Sequence, residues 1–176
     1  MAAQIIINEW NGSAGSQAST PKTGSTIRFK SADDSAVNNS NPMVKPNAGA
    51  YRSYEKWLRA SIQDLDDATN ISNIEVFVAG TPNTGVSIWA STQEEYCATN
   101  GSPRSGGYSS ANAMPQPKEN LFTYTSANPL LLGEGPFTED TDGGVGNFFV
   151  LQMEVLPSAS VGTTRSYSLI LRYDEE

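Results

Sequence analysis

Residues 51–80, YRSYEKWLRASIQDLDDATNISNIEVFVAG, contain two strand-like segments joined by an acidic, polar connection. The second segment, residues 74–79, alternates between two faces, as a half-buried strand does. Its predicted apolar face consists of Ile74, Val76 and Val78. The first segment, residues 54–62, brings Tyr54 and Trp57 into the same short stretch. We therefore predict that these two strands together form the packing centre of the domain.

The rest of the chain also divides into short strand-like segments. Strands are predicted at residues 4–10, 26–30, 85–90, 121–125, 130–132, 147–156 and 163–173, and a single helical turn at residues 92–96. Only a short Ser/Pro/Gly loop separates the last two strands, so they are predicted to form an antiparallel hairpin. This pattern predicts an all-β chain that forms a single-domain antiparallel β-sandwich of jelly-roll or immunoglobulin-like kind, with long loops and extended arms.

The predicted core of this sandwich draws on the central strands and on the last two. Its residues are Tyr54, Trp57, Leu58, Ile74, Val76, Val78, Leu151, Met153, Leu169 and Leu171. Between the strands lie long polar stretches, which are expected to be flexible or to become ordered on a partner. These stretches are residues 11–25, 31–50, 100–120 and 133–146.

Charge and composition narrow the function classes. The 176 residues include 11 Lys and Arg against 19 Asp and Glu, a net charge of −8. Nucleic-acid binding requires a basic surface, so it is disfavoured. No stretch approaches the roughly 20 apolar residues that span a bilayer, and residues 1–10 do not resemble a signal peptide. A protein made in the host cytoplasm, without a membrane partner, is expected.

The residues that usually carry catalysis are scarce. The chain has no His and a single cysteine, Cys97, which excludes Ser-His-Asp and Cys-His arrangements, an ordinary zinc site and an intrachain disulfide. Cys97 is predicted to be a small, partly buried residue beside Tyr96. We expect neither a cofactor nor an enzymatic activity.

Two acidic clusters are candidate cation sites. Calcium prefers oxygen ligands, and four such side chains follow the first central strand: Asp64, Asp66, Asp67 and Asn70. Their spacing lacks the Gly and the distal Glu of an EF-hand loop, so a solvated acidic turn is the alternative interpretation. The second cluster, Glu139, Asp140 and Asp142, has the same two interpretations.

Two further arrangements suggest sugar chemistry. Glycosidases use two carboxylates across a cleft, and Glu75 and Glu154 each lie within a predicted strand. The alternative is that both lie on the wet face of a sheet. Exposed aromatic side chains stack on sugar rings, which makes the three tryptophans candidate lectin residues, although packing in a core or interface is the alternative. These are Trp10, Trp57 and Trp89.

Residues 51–92 carry a family resemblance. EKWLR at residues 55–59, followed by NISNIEVFV at 70–78 and TGVSIWAS at 84–91, resembles small structural proteins of tailed-phage virions. The resemblance implies a virion protein that decorates or cements the capsid shell. Its expected partners are the major capsid protein or other virion subunits, including further copies of itself. A tail or fibre-associated protein and a carbohydrate-binding, receptor-binding module are the alternatives.

Overall fold

The computed structural model describes residues 2–96, 117–162 and 166–176, which form ten β-strands and one short 3-10 turn, Leu121–Thr123. The strands are β1 Gln4–Asn11, β2 Ala18–Pro21, β3 Tyr51–Arg52, β4 Lys56–Asp64, β5 Ile71–Ala79, β6 Val86–Gln93, β7 Glu119–Asn120, β8 Leu130–Gly133, β9 Val145–Val155 and β10 Ser168–Glu175.

The strands form two antiparallel sheets. The larger sheet has seven strands in the order β2-β1-β4-β9-β6-β7, and β3 pairs with β9 beside β4. The smaller sheet has three strands in the order β10-β5-β8. The two sheets pack against each other, which confirms the predicted all-β sandwich.

The main core lies between the two sheets. The large sheet contributes buried side chains from β4, β6 and β9, and the small sheet contributes the alternating face of β5. Of the predicted core residues, those fully or largely buried are Trp57, Leu58, Ile74, Val76, Val78, Leu151 and Met153. Leu169 and Leu171 are half-buried and pack against this core, whereas Tyr54 is half-buried and belongs to neither apolar cluster.

The two central strands lie in different sheets. β4 belongs to the large sheet and β5 to the small one, so they meet through their apolar side chains and the connection between them crosses the sandwich. The predicted hairpin of the last two strands is wrong. Both edges of β9 are occupied, by β4 and β3 on one side and by β6 on the other, and β10 pairs with β5 instead.

Three local predictions are also wrong. Residues 26–30 are irregular, although Ile27 and Phe29 do pack against the main core. Residues 92–96 form no helical turn, because β6 continues through Gln93 in register with β9. Residues 121–125 form a 3-10 turn in place of a strand, since the Asn120 side chain accepts a hydrogen bond from the Phe122 amide at 3.0 Å.

The predicted flexible stretches have different structures. Residues 11–25 include β2, which pairs with β1 in a hairpin. In residues 133–146, Gly133 is the last residue of β8 and Val145 is the first residue of β9, and the residues between them contain no strand. Residues 31–50 contain no strand. Cys97 and most of residues 100–120 lie outside the described part of the chain. Within the described part, no helix is long and apolar enough to cross a membrane.

Candidate functional site

Irregular chain covers part of the core that the small sheet leaves open. Ile27, Phe29 and Met43 pack against the main core, although residues 26–50 contain no strand. Irregular backbone has no neighbouring ladder, so any carbonyl that it buries needs another donor. Buried lysine side chains supply those donors.

Two lysines hold consecutive carbonyls of the irregular chain. Lys56, in β4, is fully buried, and its Nζ donates to the Asp34 carbonyl at 2.7 Å. Lys22, just after β2, is also buried, and its Nζ donates to the Ser35 carbonyl. The backbone at Asp34 and Ser35 is thereby fixed to the large sheet from two directions.

Glu9 compensates the charge of these two lysines. It lies in β1 opposite Leu58, and its side chain is fully buried. Its Oε1 lies 2.7 Å from Lys56 Nζ, and its Oε2 lies 3.2 Å from Lys22 Nζ. Because an ion removed from water is strongly destabilising without an opposite charge, both ammonium groups depend on Glu9, and the nearby Asp34 carboxylate also attracts Lys56.

A third buried lysine fixes the next turn of the chain. Lys30 Nζ lies 2.5 Å from Asp34 Oδ2 and 2.8 Å from Asn38 Oδ1. Asp34 Oδ1 also accepts a hydrogen bond from the Ala36 amide at 2.7 Å. The hydrogen bond from Lys30, and then that from Ala36, lowers the pKa of Asp34 below its usual value of 3.8. Asp34 is therefore an anion at neutral pH.

Residues 31–41, which we call the anchored loop, are also closed at their base. The Ser31 amide donates to the Asn41 carbonyl at 2.9 Å, and Asp33 accepts hydrogen bonds of 2.8 Å from Asn11 Nδ2 and the Gly12 amide. At its tip Val37 is 48% exposed. The anchored loop thus presents an apolar side chain from an irregular but tightly bonded backbone.

The predicted lectin tryptophans pack in an aromatic cluster on the face of the large sheet opposite the main core. This cluster consists of Trp10, Trp57, Trp89, Tyr96, Phe148 and Val150. Trp57 is almost completely buried, with ring centroids 5.1 Å from Tyr96 and 5.9 Å from Phe148. Lys118 Nζ lies 4.7 Å from the ring of Trp89. Trp57 therefore has no free ring face for a sugar, and the cluster is a second apolar core.

The predicted carboxylate pair is far apart. Glu75 lies on the outer face of the small sheet, 2.6 Å from Arg172, and Glu154 lies on the outer face of the large sheet, 2.7 Å from Arg52. The whole sandwich lies between them. Stacked sheets alone are about 10 Å apart, and these side chains point away from each other, so Glu75 and Glu154 do not share a cleft.

Side chains of both acidic clusters form hydrogen bonds with other parts of the chain. The Asp66 amide donates to Asp64 Oδ1 at 2.9 Å, and Asn70 Nδ2 donates to Glu176 Oε2 at 3.3 Å. In the second cluster, Asp140 accepts hydrogen bonds from Ser61 Oγ at 2.6 Å and the Ile62 amide at 2.7 Å. The described ranges contain no group of three His, Cys, Asp or Glu residues placed to hold a metal ion.

The residues of EKWLR all serve the fold. Glu55 accepts a hydrogen bond from the indole of Trp57 at 2.9 Å, and Leu58 lies in the main core. Arg59 Nε donates to the Gly146 carbonyl at 3.0 Å, and partial burial lowers the pKa of its guanidinium. With Lys56 bound to Glu9, residues 55–59 connect both apolar clusters and the anchored loop.

The sequence interpretation missed the buried ion pairs. A signal for them was present, because Glu9 has the same strand parity as Ile5 and Ile7, and Lys56 has the same parity as Leu58. A charged residue at an apolar position of a strand indicates a buried partner. Sequence alone does not identify that partner, because Glu9 and Lys56 are 47 positions apart.

The fold and these contacts define the class as an all-β sandwich protein with a loop held by buried lysines. Comparison with known proteins finds no family model, no curated protein and no solved structure that matches the chain.

Proposed function

We propose that this chain is a non-enzymatic structural protein of a tailed-phage virion, which decorates or cements the capsid shell by binding the major capsid protein. The anchored loop carries the proposal. Three buried lysines hold an irregular segment in one conformation, which a merely connecting loop does not require. A loop ordered in advance loses less conformational entropy on binding, and scaffolds commonly present their binding residues in this way.

The exposed part of the loop has the chemistry of a protein interface. Val37, 48% exposed, is followed by the polar residues Asn38, Asn39 and Ser40, and Val44, three residues beyond the loop, is 50% exposed. Apolar side chains surrounded by neutral hydrogen-bonding groups are typical of surfaces that bind proteins. The contact with the shell therefore centres on Val37 and Val44.

The family resemblance and the loop are physically linked. Lys56, the second residue of EKWLR, donates to the Asp34 carbonyl inside the anchored loop. The stretch that resembles phage virion proteins therefore also holds the proposed binding surface. This link favours a virion surface as the partner over a soluble small molecule.

Mass spectrometry of purified virions tests the assignment. The heads and tails of the phage that encodes this chain are separated, and each fraction is analysed. We expect the chain in the heads in stoichiometric amounts. Detection in the tails alone would support the tail or fibre alternative, and absence from both fractions would contradict a virion role.

A binding assay tests the surface. Heads that lack this protein are mixed with the purified chain or with the double variant Val37→Asp, Val44→Asp. Two charges placed in an apolar contact are expected to weaken binding at least tenfold, because each desolvated charge opposes association. The matched control is Val161→Asp, at a valine that is 86% exposed outside the loop. Equal loss in the control would contradict the assignment of the loop.

A further inference from the structure

The surface around the anchored loop differs in charge from the rest of the molecule. Residues 26–50 contain three Lys or Arg and two Asp, a net charge of +1 in a chain whose total is −8. Both aspartates are engaged within the fold, since Asp33 accepts two hydrogen bonds from the end of β1 and Asp34 pairs with Lys30. The exposed side chains of this segment therefore include cations and no acid.

Two exposed cations lie beside the apolar side chains of this surface. The Arg28 guanidinium donates to Asn39 Oδ1, in the anchored loop, at 2.9 Å. Lys45 directly follows Val44 in the chain, and it forms no ion pair within the described residues. All five lysines of the protein lie in the described part of the chain, where three are buried and Lys118 is half-buried. Lys45 is therefore its one exposed lysine.

Much of the negative charge lies at the far end of the sandwich. Lys56, which holds the anchored loop, begins β4, and Asp64 ends it, so a rise of about 3.3 Å per residue places the two roughly 26 Å apart. The end of β10 lies at the same end of the molecule, because the Glu176 amide donates to the Asn70 carbonyl at 3.1 Å. The exposed acids there are Asp64, Asp66, Asp67, Asp174, Glu175 and Glu176.

We propose that the surface around the anchored loop binds an acidic surface of its partner. Arg28 and Lys45 pair with carboxylates of the partner at the rim of the contact that Val37 and Val44 make. The inference rests on the proposed function and adds to it the chemistry of the partner surface. Binding surfaces carry potentials of opposite sign, and charges at the rim of a contact act mainly on the rate of association and on its dependence on salt.

Screening by salt decides whether the net charge of −8 opposes this contact. Exposed charges further apart than the Debye length are largely screened, and that length is about 8 Å at an ionic strength of about 0.15 M. The acidic end of β4 lies roughly 26 Å from Lys56, well beyond this length, whereas Arg28 and Lys45 lie at the contact itself. The local attraction therefore persists at physiological ionic strength, while repulsion from the distant acids is small.

Binding to phage heads that lack this protein tests the proposal, with sodium chloride at about 0.15 M and at about 1 M. Because salt weakens ion pairs and does not weaken apolar contacts, the affinity of the wild type is expected to fall about threefold or more at the higher concentration. The double variant Arg28→Gln, Lys45→Gln is expected to bind about two- to tenfold more weakly at the lower concentration and to lose most of the dependence on salt. The matched control is Lys118→Gln, Arg172→Gln, which changes the net charge equally but lies away from the loop and should bind like the wild type.

Carbodiimide crosslinking of the bound wild type locates the contact, because this reagent joins a lysine to a carboxylate that touches it. Mass spectrometry of the digested complex is expected to find Lys45 linked to an Asp or Glu of the partner. Lys118 is the internal control and should form no such link. Circular dichroism establishes that each variant is folded before its binding is compared.

The outcomes separate this inference from the proposed function. Binding that is unaffected by salt and equal in the wild type and in Arg28→Gln, Lys45→Gln would overturn the acidic partner and leave the capsid function intact. Crosslinks to the partner through Lys118 in place of Lys45 would do the same. If tails bind the chain and heads do not, the same measurements on tails decide the inference. A chain that binds neither fraction would contradict both the proposed function and the inference that rests on it.

Discussion

Two regions of this molecule cover the same core by different means. In the small sheet, Ile74 and Val76 of β5 pack against the core. The backbone groups of β5 are paired with β10 on one side and with β8 on the other. The irregular chain at residues 26–50 has no ladder, and its carbonyls at Asp34 and Ser35 are paired with lysine ammonium groups. Backbone polar groups must be paired wherever they are buried, so irregular structure over a core requires buried side-chain donors.

The difference extends to charge. A ladder is neutral, whereas each lysine brings a charge that must itself be neutralised, as Glu9 does for Lys22 and Lys56. The two coverings should therefore respond differently to substitution. Shortening an apolar side chain of the small sheet removes part of its van der Waals contact with the core. Removing one charged group from beneath residues 26–50 instead leaves its ionic partners buried without an opposite charge.

The largest effect is expected from Glu9→Gln. The substitution keeps the shape but leaves Lys22 and Lys56 without a counterion, and breaking a buried pair in this way costs about 3–5 kcal/mol of unfolding free energy. Urea denaturation monitored by tryptophan fluorescence measures the change. A loss below about 1 kcal/mol would show that the two lysines do not depend on Glu9.

A smaller effect is expected from Asp34→Asn, and it depends on pH. Asp34 loses its charge-assisted hydrogen bond to Lys30, an interaction of about 1.5–3 kcal/mol. The folded-state pKa of Asp34 is lowered, so its contribution is fully present above about pH 3.8 and disappears as the pH falls through the folded value.

Unfolding of the wild type and of Asp34→Asn at a series of pH values checks this dependence. The difference in stability between the two proteins should be constant near neutral pH and should shrink on strong acidification. A difference that grows as the pH falls would contradict the assignment.

Ile74→Val tests the small-sheet covering. Ile74 is fully buried, and removal of one methylene group from a packed core costs about 0.5–1.5 kcal/mol. Thermal unfolding followed by circular dichroism measures the loss. A loss as large as that of Glu9→Gln would remove the contrast between the two regions.

The smallest effect is expected from Glu75→Gln. Glu75 and Arg172 form a partly exposed pair on the outer face of the small sheet, and such pairs contribute about 1 kcal/mol or less. Urea unfolding beside Glu9→Gln compares an exposed and a buried carboxylate in one chain. Equal losses would show that burial does not govern the strength of these pairs.

Local alternation was informative about individual strands. The faces of residues 74–79 and of β9 and β10 follow from their sequence, because a side chain two positions along a strand returns to the same side. The partners of those strands do not follow from it. β9 and β10 are neighbours in sequence but lie in different sheets, since both edges of β9 are occupied by strands that precede it in the chain.

For the candidate sites, too, the sequence identified individual residues but not which residues lie together. The sequence identified Glu75 and Glu154 as mid-strand carboxylates, but their placement on opposite outer faces depends on which sheet each strand joins. The anchored loop was recognised only as a long polar segment. Part of its order comes from Lys22 and Lys56, which lie 13 and 22 positions along the chain from the carbonyls they bind.

The all-β class, the alternation of the strands and the scarcity of the usual catalytic residues follow from the amino-acid sequence, because they depend on composition and on contacts along a few residues. Which strands share a sheet, and which charged side chains meet inside the fold, depends on long-range packing. Glu9 and Lys56 are 47 positions apart, and only the packing of β1 against β4 brings them to 2.7 Å. Strand parity marks Glu9 and Lys56 as charged residues at buried positions, but it does not show that they meet, because the pairing of strands depends on the whole fold.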